Sequence, residues 1–157
     1  MKKLFTLLLA ITMMATLSVT AFAADYDTTG DKEMTVTYSV APAYTVTIPT
    51  DVTIDGNSTT ISAEGVVVEK GRYVSVTLAA DNNFTVKTAE GAELTYTVTA
   101  NGENTAPGGE ILAVNPADGK TGTATITFDL DESAIQYAGT YTGTVTFTIA
   151  VEAAGNN

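Results

Sequence analysis

From residue 34 onward the chain alternates apolar and polar side chains with a period of two. Met34, Val36, Tyr38 and Val40 share one face, with Thr35 and Thr37 on the other, and Pro42 ends the run. Tyr44, Val46 and Ile48 repeat the pattern against Thr45 and Thr47 until Pro49. Further runs follow at Val74-Val76-Leu78, Phe84-Val86, Leu94-Tyr96-Val98 and Ala124-Ile126-Phe128, and a last long one spans Tyr141 to Val151. Alternation of this kind marks half-buried strands, because successive side chains in a strand point to opposite faces. Turn chemistry separates the runs: Asp55-Gly56-Asn57, Lys70-Gly71, Asp81-Asn82-Asn83, Glu90-Gly91, Asn101-Gly102, Pro107-Gly108-Gly109 and Asp118-Gly119 all suit tight reversals. Past residue 23 no window shows helical periodicity with caps, except that residues 131–136 suit one short helical turn. The pattern predicts an all-β antiparallel β-sandwich of seven to nine strands over residues 33–152.

The first residues follow a different rule. Lys2 and Lys3 precede an apolar run from Leu4 to Val19, and Ala21-Phe22-Ala23 offers the small-x-small pattern of a signal-peptide cleavage site. Residues 1–23 are therefore expected to direct export, leaving 134 residues and a secreted protein at the cell exterior. Residues 24–32 are polar and are expected to form a flexible leader, and residues 153–157 a disordered tail.

Composition narrows the chemistry. The chain contains no cysteine and no histidine. Ser-His and Cys-His nucleophilic arrangements are thus impossible, and a disulfide framework and a lipid-anchor cysteine are absent. Past the signal, five basic residues face all 18 acidic ones, a net charge of −13. Such a balance argues against nucleic acid and anionic membrane as partners, since both require a basic patch. Most outward strand positions are Thr, whose β-branch favours strands while its hydroxyl stays wetted. No cofactor is expected, and the reading is non-enzymatic.

Two stretches carry a resemblance. The sequence Ala138-Gly139-Thr140-Tyr141-Thr142-Gly143, leading into the last alternating run, resembles the final strand of bacterial pilin-like and spore-coat-U-like surface domains. Glu33 to Pro42 is similar to the N-terminal strand that some fimbrial subunits donate to a neighbour. These resemblances imply an immunoglobulin-like or pilin-like antiparallel sandwich with a structural or adhesive role, its partner being another copy or another surface protein. Met34, Val36, Tyr38 and Val40 would form the self-association strand. From the residues alone, however, this run is expected to pair within its own sandwich, because Ala41-Pro42-Ala43 is short enough to fold back. Leu-Pro-x-Thr-Gly is absent, so covalent wall attachment is not encoded.

Physical reading of the same C-terminal stretch predicts a tyrosine corner, in which the Tyr141 hydroxyl returns to an upstream carbonyl. Val145 and Phe147 are expected in the core. Asp129, Asp131 and Glu132 are the weak calcium candidates, lacking the spacing and Gly of an EF-hand loop. A glycan-binding module is the rival reading. Tyr38, Tyr44, Tyr96 and Tyr141 fall on the core-facing side of their strands, so Tyr73 is the strand tyrosine available for sugar contact, with Tyr26 and Tyr137 also exposed.

Overall fold

A computed structural model describes residues 35–154 apart from Asp55. Residues 1–34, which include the expected signal and leader, and residues 155–157 lie outside the described residues.

The described chain is all-β. Its strands are β1 (Ala43–Thr47), β2 (Ser58–Val67), β3 (Arg72–Leu78), β4 (Thr85–Lys87), β5 (Glu93–Ala100), β6 (Glu103–Asn104), β7 (Glu110–Val114), β8 (Gly122–Leu130) and β9 (Phe147–Ala153). One sheet runs β1-β2-β8-β5-β4 with β6 beside β5, and the other runs β7-β3-β9. Every named strand pair is antiparallel. The sheets enclose one apolar core, to which β5 contributes Leu94, Tyr96, Val98 and Ala100, and β8 contributes Ala124, Ile126 and Phe128. Thr95, Thr97, Thr123 and Thr125 alternate with them and stay outside, or nearly so. The two-residue period read from the sequence is thus the period of burial. Tyr96 lies between two other rings, 5.7 Å from Phe84 and 6.0 Å from Phe128 between centroids.

Register assigns the strand ends to two poles. Ala43 pairs with Val67, Ala63 with Gly122, and Arg72 with Ala153, so these residues mark a proximal pole where the chain enters β1. Thr47, Ser58, Leu130 and Glu93 mark the distal pole. The short helical turn expected at 131–136 is a 3-10 turn at Glu132–Ala134, capped by Asp131.

Three expectations are corrected. Residues 35–42 form no strand, so the run containing Val36, Tyr38 and Val40 does not fold back onto its own sandwich. Tyr38 is 70% exposed rather than core-facing. The last alternating run is a strand only from Phe147, and Val145 and Phe147 are half-buried. The cause is shared: alternation specifies which face a side chain takes, whereas a strand also needs a neighbouring backbone, and these stretches lack one on at least one side. At the other end, β9 reaches Ala153 and the Ala154 N–H donates to the Gly71 carbonyl at 2.8 Å, slightly beyond the boundary expected at 152.

Candidate functional site

The edge formed by residues 142–153 is paired on one side only. Thr142 exchanges both backbone bonds with Lys87, each at 2.9 Å. The Thr146 carbonyl accepts from the Ala79 N–H at 2.9 Å, and the Thr146 N–H donates to Asn82 Oδ1 at 2.9 Å. Further along, Ala154 bonds Gly71. All of these are even-numbered residues bonding toward the chain of β3 and β4. Backbone groups in a strand alternate sides, so Gly143, Val145, Phe147, Ile149 and Val151 turn their N–H and C=O groups to the opposite side. Among the described residues no strand lies there.

Gly143 is required by the paired side. A Cβ at that position would stand 2.6 Å from the Thr85 carbonyl oxygen and 3.0 Å from Val86 Cγ1. The glycine therefore lets the chain lie against β4. Just before it, the Tyr141 hydroxyl donates to the Tyr137 carbonyl at 2.8 Å, which is the corner expected from the sequence.

Beside the open edge lies a groove of about 640 Å³ at the distal pole. Its floor is the inner face of the large sheet, including Ile61, Tyr96, Ile126 and Phe128, and its walls are residues 48–54 and 141–145 with Phe147. The floor residues are otherwise core, and burial pushes the Tyr96 phenol above its usual pKa. The groove meets the unpaired edge of β9 at Phe147.

Residues 35–40 have the complementary properties. They carry alternating Val36, Tyr38 and Val40, exposed at 81%, 70% and 54%, and they belong to no strand. Fully extended, six residues span about 20 Å, enough to follow the open edge from Phe147 to Val151, about 14 Å on the same rise.

The other sequence candidates do not gather. Asp131 caps the 3-10 turn, its Oδ1 accepting from the Ser133 N–H at 2.9 Å and the Ser133 hydroxyl at 2.6 Å. These bonds hold its carboxyl below the usual range. Asp129 sits on β8 and Glu132 in the turn, and among the described residues no three acidic groups form a metal cluster. Tyr73 is half-buried rather than presented as a platform, and the Glu110 carboxylate beside it raises its pKa. Tyr137 is exposed. Lys87 points outward, as its position after Val86 implies, and pairs with Glu93.

Sequence reasoning missed two contributors. Residues 50–54 were legible only as a link after Pro49, although Ile54 packs on the core. Asn82 read as a turn residue, and its backbone-like pairing with Thr146 has no sequence signature. The chain matches no family model and no curated protein.

Proposed function

We propose that this chain is an exported, non-catalytic structural subunit that assembles with copies of itself by strand exchange. Residues 35–40 of one copy pair with the open edge of β9 in the next, which meets the groove at Phe147. The observation that carries this reading is the coexistence, in one chain, of an unpaired edge beside an apolar groove and an unpaired segment with the matching alternation. An open edge left bare would invite indiscriminate pairing, and strand addition satisfies it through main-chain bonds while alternate side chains fill the groove. The segment's resemblance to donated fimbrial strands supports the same role, and so does the scarcity of basic residues, which suits a soluble exterior protein.

The test uses a chain truncated to begin at Ala41 and a synthetic peptide of residues 33–41. The reading predicts that the truncated chain is a monomer whose Tm rises as peptide is added. Saturation at a hundred times Kd would stabilise it by about 2.7 kcal/mol. A peptide with Tyr38→Asp should fail. A full-length chain that stays monomeric at all concentrations, together with a peptide that shifts nothing, would refute the proposal.

A further inference from the structure

Of Ile61, Tyr96, Ile126 and Phe128 on the groove floor, Tyr96 alone carries a polar atom. Its ring lies between Phe84 and Phe128, and the residue is only 6% exposed. Its backbone N–H donates to the Phe84 carbonyl at 2.9 Å. Its hydroxyl, by contrast, has no hydrogen-bond partner among the described residues. A buried tyrosine ordinarily finds one, as Tyr141 does in the Tyr137 carbonyl. Nor is the Tyr96 hydroxyl sealed from solvent, because among the described residues no enclosed side-chain oxygen lacks a partner. Tyr96 lines the groove, so its hydroxyl opens there. Burial favours the neutral phenol, which keeps it a hydrogen-bond donor at neutral pH.

The rest of the groove offers apolar surface and little charge. Ile48, Ile54, Leu130, Val145 and Phe147 line it and are only half-buried. A ligand lying against them would take that apolar surface out of water. The rim is hydroxylic, with Thr50, Thr53, Thr142 and Thr144 exposed. Asp51 is the charged group of the described lining, and no Lys or Arg accompanies it. A carboxylate there works against an anionic head group. The volume of about 640 Å³ falls in the range of small-molecule sites. A segment paired along Phe147–Val151 reaches only the Phe147 end, which leaves the space between residues 48–54 and 141–145 open.

We propose that the groove binds a small uncharged acyl compound, a ketone, ester or amide, whose carbonyl oxygen accepts from the Tyr96 hydroxyl while its chain covers Ile54, Leu130 and Val145. The phenol donates, so the ligand must accept. Asp51 sets the charge, since a fatty carboxylate would accept equally well but meets like charge at the rim. The site goes beyond strand exchange and does not depend on it.

The experiment titrates the chain from Ala24 onward, which keeps every described residue, with 2-nonanone in a calorimeter. The ketone should bind, and Tyr96→Phe should weaken it roughly three- to tenfold, the worth of one hydrogen bond. The same variant should leave Tm nearly unchanged, because the hydroxyl it removes bonds nothing within the protein. Val145→Trp, which fills the groove, should abolish binding, whereas Tyr73→Phe, remote from the groove, should leave it within about twofold. Asp51→Lys should strengthen nonanoate by about threefold or more at low salt and leave the ketone within about twofold. No ketone binding, equal affinity in Tyr96→Phe, or binding that survives Val145→Trp overturns the inference. Nonanoate affinity indifferent to Asp51→Lys overturns the assignment of charge. The 33–41 peptide reads β9 rather than Tyr96, so a failure here leaves strand exchange standing, and ketone binding by a chain that ignores the peptide upholds this site alone.

Discussion

Asn82 holds Thr146 in place as a strand would. Its Nδ2 donates to the Thr146 carbonyl at 2.9 Å and its Oδ1 accepts from the Thr146 N–H at 2.9 Å, the two bonds of a β-ladder made by one side chain. Together with Thr142 on Lys87, this pins the chain before β9 against the β3–β4 side and fixes which backbone groups face the groove. Asn82→Ala should destabilise the fold by about 1–3 kcal/mol, because it leaves both Thr146 groups without this partner. Urea denaturation of the truncated chain would measure it, and loss of peptide affinity should accompany the loss of stability.

The corner at Tyr141 is tested by removing one atom. Tyr141→Phe deletes the hydroxyl that donates to the Tyr137 carbonyl at 2.8 Å and leaves the ring packed. The expected cost is about 0.5–1.5 kcal/mol in urea denaturation. A cost of zero would mean that the bond adds nothing over hydration.

Burial predicts a contrast between the two faces of β8. Ile126 is completely buried, so Ile126→Ala should cost about 2–5 kcal/mol. Its neighbour Thr125 is exposed on the outer face, and Thr125→Ala should cost about 0.5 kcal/mol or less. Phe147→Ala should do less harm than Ile126→Ala in the isolated subunit, since Phe147 is only half-buried there, and proportionally more once peptide is bound.

These contrasts mark how much of the molecule was legible beforehand. Period-two burial along β5 and β8, the turn between Val67 and Arg72, the Tyr141 corner and the turn at Asp131 all follow from local sequence, because each depends on neighbours within a few positions. From the residues alone, 34–40 were expected to pair within their own sandwich, with exchange between copies as the alternative, and Val145 and Phe147 to lie in the core. Their side chains carry the right alternation, but strand pairing is decided by a backbone elsewhere in the chain or outside it. The groove was invisible for the same reason: Ile61, Tyr96, Ile126 and Phe128 are buried core residues, and nothing in their order shows that a groove borders them.

Asp131 gives a pH dependence with a definite sign. Its hydrogen bonds from Ser133 lower its folded pKa below the unfolded value. Its contribution is therefore present above the unfolded pKa and is lost as pH falls through the folded one. An NMR titration should find the Asp131 carboxyl protonating at lower pH than an unperturbed aspartate, and Ser133→Ala should bring it back toward the ordinary value.

The central claim, that the open edge of β9 takes residues 35–40 of another copy, is tested most directly by a disulfide between two chains. The protein has no cysteine of its own, so every cross-link is informative. A Tyr38→Cys chain is mixed with an Ile149→Cys chain under mild oxidation, and the products are separated on a denaturing gel without reductant. Strand exchange predicts a mixed covalent dimer that forms efficiently and is abolished by excess 33–41 peptide. No mixed dimer, with a chain carrying both cysteines closing only a bond within itself, would contradict the account.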